Sequence, residues 1–173
     1  MLRKIFLITI FLTFASSAIA FQADINNVCF SPNGNCTAVI VEQIDNAKSE
    51  IYVQAYSFTS APIAKALVNA HKRGVKVEVI LDKSQKKERY TSATFLSNAG
   101  IPTYIDSIHA IAHNKIMIID KEIVITGSFN FTKAAEEKNA ENLLILKSKE
   151  LANQYLMNWS KHKNHSDSYS GRE

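Results

Sequence analysis

The chain has 173 residues, 46% of them hydrophobic, and a formal net charge of +4 at pH 7. That hydrophobic share excludes a disordered chain, and so small a charge does not by itself mark a nucleic-acid partner. Two cysteines are too few for a disulfide-dense scaffold.

Residues 1–20, MLRKIFLITIFLTFASSAIA, combine the basic Arg3 and Lys4 with an apolar run from Ile5 to Phe14 and the small ending Ala18-Ile19-Ala20. This is the pattern of a secretory signal peptide, and its apolar run is too short to cross ~30 Å of hydrocarbon as a mature helix. Export to the periplasm or the medium is expected, with no stable membrane association after cleavage. Roughly 150 residues remain, enough for one domain with a self-sufficient core, expected over 21–160. Cys29 and Cys36 flank the turn-forming FSPNGN and, in an exported chain, are expected to form one disulfide.

Val39, Ile40, Ile44 and Ala47 make a helical stripe between Thr37 and Lys48, and Ile51, Val53 and Ala55 follow with the period of a strand. Pro62 opens a second helix that runs to about Arg73 and stops at Gly74, after which VKVEVILD, residues 75–82, reads as a buried strand. Thr91 to Asn98 is a short helix ended by Gly100, and Pro102 to Ile105 a short strand. Ile116–Ile119 and Ile123–Ile125 form the simplest antiparallel hairpin, with Asp120 and Lys121 as a two-residue loop. Glu141 to Lys147 is another strand, and Ser148 to Trp159 an amphipathic helix capped by its serine. Residues 161–173, KHKNHSDSYSGRE, lack an apolar face and are expected to be a disordered tail. The alternation predicts an α/β fold, an α-β-α sandwich around a mixed β-sheet.

With a two-residue loop, Ile119 faces Glu122 and His113 faces Ser128, so His113, Lys115, Ser128 and Asn130 share one face beyond the open end of the hairpin. Asp120 lies roughly 20 Å from His113 at ~3.3 Å per residue, which suits a turn or ion-pairing role. An imidazole, an ammonium, a hydroxyl and an amide on one face fit a phosphodiester. Lys115 and Asn130 can meet charge growing on the phosphoryl oxygens, and a neutral imidazole is a competent nucleophile.

The spacing His-x-Lys-x4-Asp, followed after six residues by Gly-Ser-x-Asn, resembles the signature of the phospholipase D superfamily. His113, Lys115, Asp120, Gly127, Ser128 and Asn130 occupy its fixed positions, and the resemblance extends from about Asn26 to Trp159. It implies the superfamily's fold and a cofactor-free reaction. His113 would attack phosphorus and form a phosphohistidine, while a second histidine protonates the leaving oxygen and then activates water. Lys115, Asn130 and Ser128 would hold phosphate oxygens. Glu141 matches the carboxylate that orients an imidazole, in its own chain or a partner's.

Larger relatives carry the motif twice, whereas this chain carries it once: none of His71, His109, His162 or His165 begins a His-x-Lys. The second histidine is therefore expected from another copy, in a two-fold dimer with a composite site. His109 and His113 are four apart, a zinc-binding spacing on a helix, but HAIAH lacks the glutamate of HExxH and leads into a strand. No metal site is expected there. His71 reads as a surface residue at a helix end, and His162 and His165 receive no role.

Lys83, Lys86, Lys87 and Arg89 outnumber Asp82 and Glu88 in DKSQKKERY, a segment suited to tracking a nucleic-acid backbone with Tyr90 near a base. Once the leader is removed, no exposed apolar helix or lid is visible for acyl chains. DNA is the expected substrate, and RNA with it, because phosphohistidine chemistry needs no 2′-OH; the resemblance to the superfamily's small bacterial endonucleases points the same way. The alternatives are a lipid phosphodiesterase of the phospholipase D type and a secreted nucleic-acid-binding protein without turnover.

Overall fold

Strands as aliphatic as EIYVQA and KVEVILD bury both faces, so helices must cover the sheet on each side. The computed structural model describes residues 22–86 and 91–171. The expected leader, and Lys87, Arg89 and Tyr90 of the basic segment, lie outside the described residues.

In chain order the elements are β1 (Asp24–Ser31), α1 (Cys36–Asn46), β2 (Glu50–Ala55), α2 (Ala61–Lys72), β3 (Lys76–Asp82), a 3-10 turn (Lys83–Lys86), α3 (Ser92–Asn98), β4 (Thr103–Asp106), β5 (Lys115–Ile119), β6 (Ile123–Gly127), α4 (Lys133–Glu137), β7 (Glu141–Lys147), α5 (Lys149–Asn164) and β8 (Asp167–Tyr169). They build one mixed sheet in the order β1-β7-β6-β5-β2-β3-β4-β8. β2, β3 and β4 run parallel, and every other pairing is antiparallel.

Ile40, Ile44, Ile63, Leu67 and Leu96 of α1, α2 and α3 pack on one face, against Val53, Val79, Met117, Ile125 and Leu143. The opposite face, with Tyr52, Ile80, Ile118 and Val124, is covered by Ala152 and Trp159 of α5. Trp159 anchors that layer: its ring lies 4.8 Å from that of Tyr52, and its indole N–H donates to the Val53 carbonyl at 2.9 Å. Truncation of such a residue to alanine costs roughly 3–5 kcal/mol. Cys29 and Cys36 are joined in a disulfide that ties β1 to α1, with Cα atoms 5.7 Å apart. Among the described residues, no helix is long and apolar enough to cross a membrane.

Two expectations need correction. Of the expected disordered tail, residues 161–169 are ordered: α5 continues to Asn164, and β8 adds an edge strand whose Tyr169 pairs with Thr103 of β4. Tyr169 is buried and its hydroxyl shares a hydrogen bond with Thr94 at 2.9 Å, so a single aromatic anchors an otherwise polar strand.

The hairpin register also differs by one. Asp120 and Lys121 take the left-handed conformation of a two-residue turn, φ 53° and 52°, closed by the Glu122 N–H donating to the Ile119 carbonyl at 3.0 Å. Glu122 is then an extra residue, so Ile119 pairs with Ile123 instead. Its carbonyl accepts the Ser148 N–H at 2.8 Å, which holds the bulge in place.

Candidate active site

Because the antiparallel strands alternate, the C-terminal ends of β2 and β6 meet the N-terminal starts of β5 and β7 along one sheet edge. Ala55 pairs with Lys115, and Gly127 with Leu143, two residues beyond Glu141. The face parity expected for Ser128 opposite His113 fails with the one-residue shift. The chain past the strand ends brings the groups together by other means.

The extension of β2 supplies the first. The Tyr56 N–H donates to the Asn114 carbonyl at 2.8 Å, and the Tyr56 ring lies 4.6 Å from that of His113, tilted by 49°. The ammonium of Lys115 sits 5.0 Å from the same ring and donates to the His113 carbonyl at 2.8 Å. Lys115 is buried, 6% exposed, whereas His113 is exposed. Burial pushes the Lys115 pKa down, opposed by the negative charge of Glu141. Among the described residues, the His113 ring makes no hydrogen bond to a protein group, and Glu141 instead accepts one from the Asn139 side chain at 3.2 Å.

The second link carries Asn130. Phe58, two residues past Tyr56, forms a parallel bridge with Phe131, whose carbonyl accepts the N–H groups of Thr59 and Ser60 at 3.0 and 2.9 Å. Asn130 is thereby fixed beside the Tyr56 strip, and its side-chain oxygen is buried with no partner among the described residues. Buried polar atoms are almost always paired, and among the described residues the Asn130 oxygen shares this open state only with the two amide atoms of Gln54.

Ser128 is bracketed by Asn142: its hydroxyl oxygen accepts the Asn142 N–H at 3.1 Å and the side-chain amide at 3.3 Å. Its own proton stays available for donation. Gly127 makes this approach possible, since a Cβ there would stand 2.2 Å from the Asn142 carbonyl oxygen.

Asp120 sits at the opposite end of β5 and accepts the N–H groups of Lys48, Ser49 and Glu50 at 2.9, 2.7 and 3.1 Å, and the Ser49 hydroxyl at 2.8 Å. It clamps the hairpin tip to the α1–β2 connection. Of the basic segment, Lys83 donates to the His109 carbonyl at 2.8 Å, and Lys86 is exposed on the 3-10 turn at the site-side end of β3.

Sequence reasoning missed Tyr56 and a histidine cluster. Tyr56 is one residue beyond the alternating run that marks β2, and only the tertiary contact with His113 distinguishes it. The weighed pair of His109 with His113 does not form; His109 joins Asp106, His162 and His165.

Residues 40–162 match the family described as cardiolipin synthase, PLD-like domain. A phospholipase D of Rickettsia conorii is 50% identical over 133 residues, which cover 77% of this chain and 66% of that protein. The crystal structure of Nuc from Salmonella typhimurium, a phospholipase D family member, is 40% identical with a TM-score of 0.82, covering 86% of this chain and 99% of Nuc. A mitochondrial cardiolipin hydrolase of Canis lupus familiaris is 30% identical over 129 residues, 74% of this chain and 51% of that protein. The chain belongs to the phospholipase D superfamily of phosphodiesterases.

Proposed function

We propose that this chain is an exported, non-specific endonuclease that hydrolyses DNA and RNA through a covalent phosphohistidine, without metal in the chemistry. The observation that carries the reading is exposed His113 and buried Lys115 on one open sheet edge with Asn130, whose side-chain oxygen has no partner among the described residues and whose amide N–H groups can donate to a phosphate.

The lone pair of an imidazole nitrogen of His113 attacks phosphorus as the bond to the leaving oxygen breaks, and the partner's His113 gives that oxygen a proton. Water then attacks the phosphohistidine, loses a proton to the same partner imidazole, and releases His113 as the P–N bond breaks. Lys115 and Asn130 hold the non-bridging oxygens, where negative charge grows, and Ser128 donates its remaining proton. Glu141, which makes no bond with its own His113, orients the imidazole of the other subunit. Lys86 and its basic neighbours steer the polyanion toward the edge.

A lipid reading draws on the names of the Rickettsia and mitochondrial relatives, and on the exposed Ile108 and Ile111 in the connection leading to His113. Supercoiled plasmid and phosphatidylcholine vesicles, each offered to the wild type and to His113→Ala, separate the readings. Nicking that vanishes in the variant supports the endonuclease. Headgroup release without nicking supports the lipid enzyme, and DNA bound without turnover supports a binding protein. Mixing wild type with His113→Ala during refolding tests the composite site: activity falls as the square of the wild-type fraction if each site needs both histidines, and linearly if it does not.

A further inference from the structure

Asp106, at the end of β4, is fully buried beside Asp82, its buried partner on the parallel strand β3. The Asp82 carboxylate is satisfied by backbone, accepting the Ser84 N–H at 2.9 Å and the Ala112 N–H at 2.7 Å. Among the described residues no lysine or arginine pairs with either carboxylate, although burying such charges unpaired is costly. Three imidazoles close on Asp106 instead. His162 Nδ1 lies 2.8 Å, His109 Nδ1 2.9 Å and His165 Nε2 3.4 Å from the same oxygen, Oδ2.

His109 Nδ1 also lies 3.0 Å from Oδ1, so three imidazoles share the two oxygens of one buried carboxylate. The rings stand 4.8, 5.1 and 5.3 Å apart. One donor atom from each of the four residues lies within 4.8 Å of all the others. A tetrahedral zinc ion with bonds of ~2.0–2.1 Å needs ligand atoms about 3.3 Å apart, a small adjustment from this packing.

We propose that Asp106, His109, His162 and His165 form a four-ligand site for a divalent transition-metal ion of the zinc class. Three imidazole nitrogens and one carboxylate oxygen are a donor set that zinc accepts, and four protein ligands close the coordination sphere, which is the mark of a structural site. Asp106 follows Tyr104 by two residues and so shares the face under α5, whereas Lys115 shares the face of Met117 under α1 to α3. The ion therefore braces the framework without touching phosphorus. It staples the last turn of α5 and the segment before β8 to the end of β4 and to the connection that delivers His113. The proposal does not depend on how His113 is read.

The test uses the untagged chain, stripped with a chelator and titrated with zinc in a calorimeter and with cobalt in a visible spectrometer. Saturable uptake of one ion per chain, a four-coordinate cobalt spectrum and a raised melting temperature are expected. His162→Ala and the shape-keeping Asp106→Asn should weaken binding by about a hundredfold or more, since a ligand costs at least as much as a residue that only orients one. His71→Ala, remote from the cluster, should bind as the wild type does. Absence of saturable binding in the wild type, a six-coordinate cobalt spectrum, or unchanged affinity in both variants would overturn the site. The wild-type titration decides the matter even if a variant fails to fold.

Discussion

Replacing Asp120 by asparagine tests whether this motif residue serves the fold or the chemistry. Its carboxylate accepts three backbone N–H groups and the Ser49 hydroxyl, all between 2.7 and 3.1 Å. Asparagine tolerates the left-handed φ of 53°, so the substitution removes charge without adding backbone strain. Hydrogen bonds to a charged group contribute about 1.5–3 kcal/mol each where buried. Most of these are exposed and asparagine keeps one acceptor, so a net loss of roughly 1–2 kcal/mol is expected. At about 2–4 °C per kcal/mol for a domain this size, the melting temperature falls by roughly 2–8 °C. Burial opposes ionisation of Asp120, but the backbone donors of Lys48, Glu50 and Ser49 outweigh it, and its pKa lies below the ordinary value. A depressed carboxyl stabilises the fold fully above its unfolded pKa of ~3.9, and the contribution disappears as pH falls through the folded value. Urea unfolding at pH 7 and across the acid range should show the variant weaker at pH 7, with the gap to the wild type closing as pH falls through the folded pKa of Asp120. Asp120 lies about 17 Å along the strand from Lys115, so plasmid nicking by folded variant should be unchanged. An unchanged urea midpoint, or lost nicking with stability intact, would refute the clamp.

Lys115→Met should abolish nicking, by roughly two to three orders of magnitude as for other lost charge-stabilising donors. The same variant should unfold at higher urea, because it relieves a buried ammonium whose pKa burial has lowered. Tyr56→Phe should retain activity and Tyr56→Leu lose about tenfold in kcat/KM, since the contact with His113 is made by the ring; equal losses would implicate the hydroxyl. Gln54→Leu should stabilise the protein by roughly 1 kcal/mol in urea titration, because both amide atoms of this buried side chain lack partners among the described residues. The nicking rate should be bell-shaped in pH, because one imidazole must start neutral and its counterpart protonated; a flat profile would contradict the paired-histidine scheme.

The sandwich and its central strands were legible because β2, β3, β5 and β7 carry aliphatic runs whose period survives without context. β1 was not, since DINNVCFS buries only Cys29 and Ser31 and shows no sustained alternation, as suits an edge strand recruited by pairing with β7. β8 has three residues and one buried side chain, too little for any pattern. The motif spacing picked out residues that lie at the ends of β5, β6 and β7, but the path predicted to gather them, a regular hairpin register, failed at Glu122, whose carbonyl accepts the Ser148 N–H in a bulge. Asn130 reaches the edge through the Phe58–Phe131 bridge, between segments far apart in sequence. The histidine cluster joins Asp106 to His162 across 56 positions, where local spacing carries no signal.

The central claim is that His113 bonds to phosphorus during turnover. Rapid acid-free quenching with a labelled oligonucleotide, followed by peptide mapping, tests it directly. The account predicts label on the peptide bearing His113, stable to base and released by acid, and absent from His113→Ala. Label on another residue, or full turnover by His113→Ala, would contradict it.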